Sequence, residues 1–117
     1  MGVVNCVAYS RKTGHKFADI ALENVSETLA ADKDNFVWIG LYEPDAALLT
    51  QVQDEFGLHD LAVEDALRQK QRPKAEVYGD SLFIVVRTAR LEKDDICFGE
   101  TFIFVGARYV ITVRQGA

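Results

Sequence analysis

The sequence predicts a single α/β domain: a mixed, largely antiparallel β-sheet with helices packed against it, in the manner of an αβα sandwich. Three observations predict it. The run Phe36 to Tyr42 is apolar without interruption, which suits a central strand covered on both faces. Two helical patterns follow, the first ended by Gly57 and the second stopped before Pro73. From Lys74 to Arg114 strand patterns alternate with short turns, as in an antiparallel meander.

Taken in chain order, Val3 to Tyr9 is rich in valine and reads as a strand. A polar turn at residues 10–14 leads to a returning strand from Lys16 to Ile20. Asn24 or Ser26 can cap a short helix ending near Ala31, with Val25, Leu29 and Ala30 inward. A solvated loop at residues 32–35 precedes the apolar strand. Pro44 and Asp45 open the next helix, whose Leu48, Leu49, Val52 and Phe56 share one face. The helix after it starts near His59 or Asp60, where an acid suits the positive helix end. Ala62, Val63, Ala66 and Leu67 gather on one arc of it. Glu64, Asp65 and Arg68 fall on the other, with Leu61 between, and Glu64 is spaced to pair with Arg68. Strands are expected over Lys74 to Tyr78, Ser81 to Leu91, Ile96 to Val105 and Tyr109 to Arg114.

The chain has 117 residues, 49% of them hydrophobic, which suits one ordinary globular domain. Its net charge of -5 repels phosphate backbones, so nucleic acid is a poor partner and cations are the better one. No run approaches the roughly 20 apolar residues that a spanning helix needs, so the chain is expected to cross no bilayer by itself. Cys6 and Cys97 lie far apart and are expected to be reduced and buried, as in a cytosolic protein. Enzyme signatures such as a nucleophile elbow, a phosphate loop or a zinc-protease helix are not present, and no enzyme activity is expected.

The candidate metal ligands are Asp65 and Glu64. Hard divalent ions take oxygen donors, and magnesium keeps several waters. Acids on one helix bind weakly alone, so a useful site needs a second acidic surface. From spacing alone a solvated face with a salt bridge to Arg68 is the stronger reading. His59 lies roughly 120° from Asp65 around the helix axis, at about 100° per residue. It therefore reads as a cap or a packed ring. Gln71-Arg72-Pro73-Lys74 reads as an ordering turn rather than as an anion site.

These residues carry a resemblance. The strand Phe36-Val37-Trp38-Ile39-Gly40-Leu41, the helix Leu61-Ala62-Val63-Glu64-Asp65-Ala66-Leu67 after Gly57-Leu58-His59, and the segment Gln71-Arg72-Pro73-Lys74-Ala75-Glu76 resemble the N-terminal cytoplasmic domain of CorA-like magnesium/cobalt transporters. Asp60 stands where that family often has proline, and both suit a first helical turn. The resemblance implies that residues 1–117 form a regulatory domain at the cytoplasmic face of the inner membrane, without the stalk and the two membrane helices. It implies a homopentamer that carries magnesium or cobalt, with weak regulatory Mg2+, or Co2+ or Zn2+ in its place, bound between subunits. Asp65 then corresponds to the regulatory acid and Glu64 to its neighbour, with partner acids on the stalk helix of an adjacent subunit. A zinc-transporting branch and a free-standing binding module are the alternatives. The seam reading requires the Asp65 carboxylate to be open to an ion and not neutralised by an arginine of its own chain.

Overall fold

The computed structural model describes residues 2–68 and 71–116. Strands β1 (Gly2–Ser10) and β2 (Lys16–Asp19) form a hairpin, and a 3-10 turn at Leu22–Asn24 leads into α1 (Val25–Ala31). Next come β3 (Asn35–Tyr42), α2 (Ala46–Phe56) and α3 (Asp60–Leu67). The chain closes with β4 (Lys74–Tyr78), β5 (Ser81–Glu92), β6 (Asp95–Val105) and β7 (Tyr109–Gly116).

The strands make one seven-stranded sheet in the order β2-β1-β3-β7-β6-β5-β4. The last four form the expected antiparallel meander. The join between the two halves is β3 beside β7, a parallel pair with Ile39 opposite Ile111. A parallel pair cannot be closed by a tight turn, and here everything from α2 to β6 lies between its strands. That makes β3 central, as expected.

Its two faces differ. Val37, Ile39 and Leu41 are buried, whereas Phe36, Trp38 and Tyr42 are only half-buried. The expectation of a strand covered on both faces is corrected: β3 alternates. The buried side joins Phe83, Val85, Phe102, Phe104, Ile111 and Val113 to residues of all three helices in one core. The helices among the described residues thus share one face of the sheet, and no second helical layer is among those residues.

Local chemistry sets the helix ends. Asp45 Oδ1 accepts the Leu48 amide at 2.8 Å and caps α2. Gly57, at φ 67°, ends it in the left-handed conformation that glycine adopts without a Cβ penalty. α1 differs from expectation in two ways. Asn24 sits at its N-cap without a side-chain cap bond, and Ala30 is exposed. Its inward residues are Val25 and, partly, Leu29.

The end of α1 is held instead by Arg108. Its Nη2 donates to the carbonyls of Leu29, Asp32 and Asn35 at 2.7, 2.6 and 3.2 Å. A cation there also suits the negative end of a helix. Cys6 is buried and Cys97 half-exposed, so the expectation of burial is corrected for Cys97; both are free thiols.

Candidate functional site

α3 is the element that presents the predicted ligands. Its packed face is set by Ala62, Val63 and Ala66, all buried. Leu61 and Leu67 are exposed, at 55% and 43%. Asp65, placed by the sequence on a solvated face, is instead buried, with 7% of its surface exposed.

Two cations of the same chain hold the Asp65 carboxylate. Arg68 Nη2 meets Oδ1 at 2.7 Å, and Lys74 Nζ meets Oδ2 at 2.7 Å. Arg68 therefore pairs with Asp65, three residues away, rather than with Glu64. Lys74 continues to Glu76 Oε1 at 2.8 Å, and Tyr78 donates to Glu76 Oε2 at 2.5 Å. The chain of contacts Arg68, Asp65, Lys74, Glu76, Tyr78 ties α3 to β4 across the segment that carries Gln71 and Pro73. Alternate residues Lys74, Glu76 and Tyr78 point to the helix side because strand side chains alternate in direction.

The charges set the titration. Burial alone would raise the Asp65 carboxyl, but hydrogen bonds and charge from Lys74 and Arg68 outweigh it and hold it below the ordinary aspartate range. The Lys74 ammonium is raised, first by its hydrogen bond to Asp65. The contribution of Asp65 to stability is thus present above the ordinary aspartate pKa of about 3.9 and is lost as pH falls through the lowered value. That of Lys74 is complete below about 10.4 and is lost as pH rises through the raised one. Unfolding free energies of Asp65→Asn from urea titration should lie about 1–2 kcal/mol below wild type at neutral pH, discounted because Arg68 is well exposed. They should converge with wild type only as pH falls below the lowered Asp65 value; parallel curves across the acid range would contradict the clamp.

The other candidates fall as follows. Glu64 is exposed, one residue before the clamped acid. His59 is both a cap and a packed ring: Nδ1 accepts the Leu61 amide at 3.2 Å, and the ring stacks on Tyr78 at 4.3 Å. The sequence did not reveal Glu100, a buried acid of β6 that accepts the Gln71 amide at 2.6 Å and so anchors the chain just before Pro73. Nor did it reveal the Lys74 partnership, although a lysine nine residues beyond an acid, across a proline stop, was the available signal. Among the described residues, no three His, Cys, Asp or Glu side chains gather to hold a metal. No helix among them is long and apolar enough to cross a membrane.

A seven-stranded mixed sheet of this order, with helices α1 to α3 on it, is the fold of the CorA-type domains already solved. The complete CorA magnesium transporter of Methanocaldococcus jannaschii superposes with a TM-score of 0.67 at 18% identity, covering 100% of this chain and 34% of that one. The full-length CmaX protein gives 0.72 at 19%, covering 97% and 35%. The ZntB cytoplasmic domain of Vibrio parahaemolyticus RIMD 2210633 gives 0.67 at 11%, covering 97% and 43%. At these identities the likeness is one of fold.

Sequence carries it further. The family model described as CorA-like Mg2+ transporter protein matches residues 33–117, and the chain belongs to that family. It is 33% identical over 75 residues to YfjQ of Bacillus subtilis (strain 168), a protein named as a candidate metal ion transporter; the match covers 64% of this chain and 23% of YfjQ. The chain thus spans about a quarter of that relative and about a third of the two full-length structures. The family is one of transporters, not of enzymes.

Proposed function

We propose that this chain is the N-terminal regulatory domain of a CorA-like divalent-metal transporter, which senses cytosolic Mg2+ and biases the pore toward its closed state. The observation that carries the reading is the family match over residues 33–117, supported by a fold shared along nearly the whole chain with the M. jannaschii magnesium transporter. In this reading the domain sits at the cytoplasmic face of the membrane. It assembles with further copies of itself, as a pentamer, and meets the stalk helix of an adjacent subunit. The ions carried are Mg2+ and Co2+. The zinc alternative gains nothing from the ZntB likeness, which is one of fold, and the described His and Cys residues do not converge.

Asp65 and Glu64 remain the proposed metal ligands, in a form the clamp dictates. Glu64 is open to an ion. Asp65 is not, as the chain stands: an ion could take its carboxylate only in exchange for Lys74 and Arg68. The direct form of the expectation, an unpaired acid waiting at a subunit seam, is therefore corrected. The exchange form has a regulatory logic. Weak binding follows because the ion competes with two cations already in place, and affinity on the order of millimolar suits magnesium that retains its waters.

The test uses the full-length protein in liposomes. Ion flux should be inhibited by Mg2+ on the luminal side that bears the domain. The double variant Glu64→Gln, Asp65→Asn should need several-fold more Mg2+ for the same inhibition. Flux without any dependence on Mg2+ at that side, or an unchanged dependence in the variant, would overturn the sensing role.

A further inference from the structure

We propose that His59 is a proton-sensitive cap, so that acidification loosens the first turn of the helix that carries Glu64 and Asp65. The first amides of a helix have no partner within it and need an acceptor from outside. In α2 that acceptor is an aspartate, which stays an acceptor at any pH near neutral. In α3 it is an imidazole nitrogen, His59 Nδ1, at 3.2 Å from the Leu61 amide. Imidazole is the side chain whose charge ordinarily changes between about pH 5 and 8. Neutral, it has one acceptor nitrogen; protonated, it has none. The proton that charges the ring therefore takes the lone pair that caps α3, and it places a cation at the positive end of the helix.

The surroundings keep the ring in place for this role. Tyr78 of β4 stacks on it at 4.3 Å. The Tyr78 hydroxyl is engaged with Glu76 and titrates above the ordinary tyrosine range, chiefly because of that hydrogen bond, so it is neutral wherever imidazole titrates. Behind it Glu76 is paired with Lys74, and Lys74 with Asp65. On α3 itself Asp60 is next in sequence, and from α2 the neutral Gln53 donates to Asp60 Oδ1 at 2.6 Å and to the Leu58 carbonyl at 3.0 Å. Asp60 is held by Gln53, so it does not take the Leu61 amide in place of the ring. The same ring thus links a proton to the turn that precedes the clamped acid. The inference concerns α3 alone and does not rest on metal binding.

Nuclear magnetic resonance on the chain tests it. Long-range nitrogen correlations at pH 8 should show His59 as the tautomer protonated on Nε2. From pH 8 to pH 5 the 13Cα secondary shifts of residues 60–63 should fall together with ring protonation, reflecting a roughly five-fold fall in the equilibrium constant for ordering that turn. In His59→Asn, whose amide oxygen caps at any pH, those shifts should stay level over the same range. A wild-type ring protonated on Nδ1 at pH 8, wild-type shifts that do not move, or an equal fall in His59→Asn would each overturn the proposal. Should the variant not fold, the wild-type tautomer and titration decide alone.

Discussion

Phe102→Ala is expected to cost about 3–5 kcal/mol, the range for an aromatic ring deleted from a core that cannot close over the cavity. Phe102 is 0% exposed on β6, between β5 and β7. Its ring lies 6.1 Å from Phe83, nearly parallel at 7°, and Phe83 in turn meets Phe104 at 4.9 Å. Strands hydrogen-bonded on both sides have little freedom to move inward, so the hole persists. A domain of this size has about 5–15 kcal/mol of total stability, and much of it would go with one ring. Phe98 gives the internal control: it lies on the same strand and points to the same side, but it is 62% exposed. Phe98→Ala should shift the urea midpoint little. Equal losses from both variants would mean that the core is not where the packing places it.

Arg108→Ala is expected to cost about 2–4 kcal/mol. The guanidinium gathers three carbonyls from the end of α1 and the start of β3, at Leu29, Asp32 and Asn35. The Asn35 side chain is buried and donates to the Thr28 carbonyl at 2.8 Å, so the same corner is held from inside. Alanine would leave these acceptors without their cation. Arg108→Lys should recover less than half, because the Nε bond to the Asn35 carbonyl is lost and a compact, strongly hydrated ammonium lacks the rigid planar fork of the guanidinium. Thermal unfolding of the three proteins checks this ranking, and a lysine variant as stable as wild type would contradict it.

Local pattern made most elements legible. The strands announce themselves by β-branched and aromatic runs, Asp45 and Gly57 mark the ends of α2, and Pro73 marks the stop after α3. What pattern could not give was which strands become neighbours. The β3–β7 pair joins residues some 70 apart, and nothing local in either strand names its partner. Arg108 lies between two strand patterns, and its acceptors are carbonyls far away in sequence.

The site failed for a related reason. On α3, apolarity assigned Leu67 inward and charge assigned Asp65 outward. In the structure Leu67 is 43% exposed and Asp65 is buried, because Lys74 from the next strand arrives over the acid. Ala62, Val63 and Ala66 keep the inward face that the pattern assigned, and the ion pair from outside covers the acid beside them. The identity of Asp65 and Glu64 as the acids of interest came from the family pattern; the clamp came only from geometry.

The most direct measurement is a calorimetric Mg2+ titration of this chain alone, with wild type and Asp65→Asn side by side. With the carboxylate already held by Lys74 and Arg68, wild type should show no binding tighter than about millimolar, and the variant should look the same. Micromolar binding by wild type that disappears in Asp65→Asn would show an acid free to take the ion without exchange, and would contradict the account.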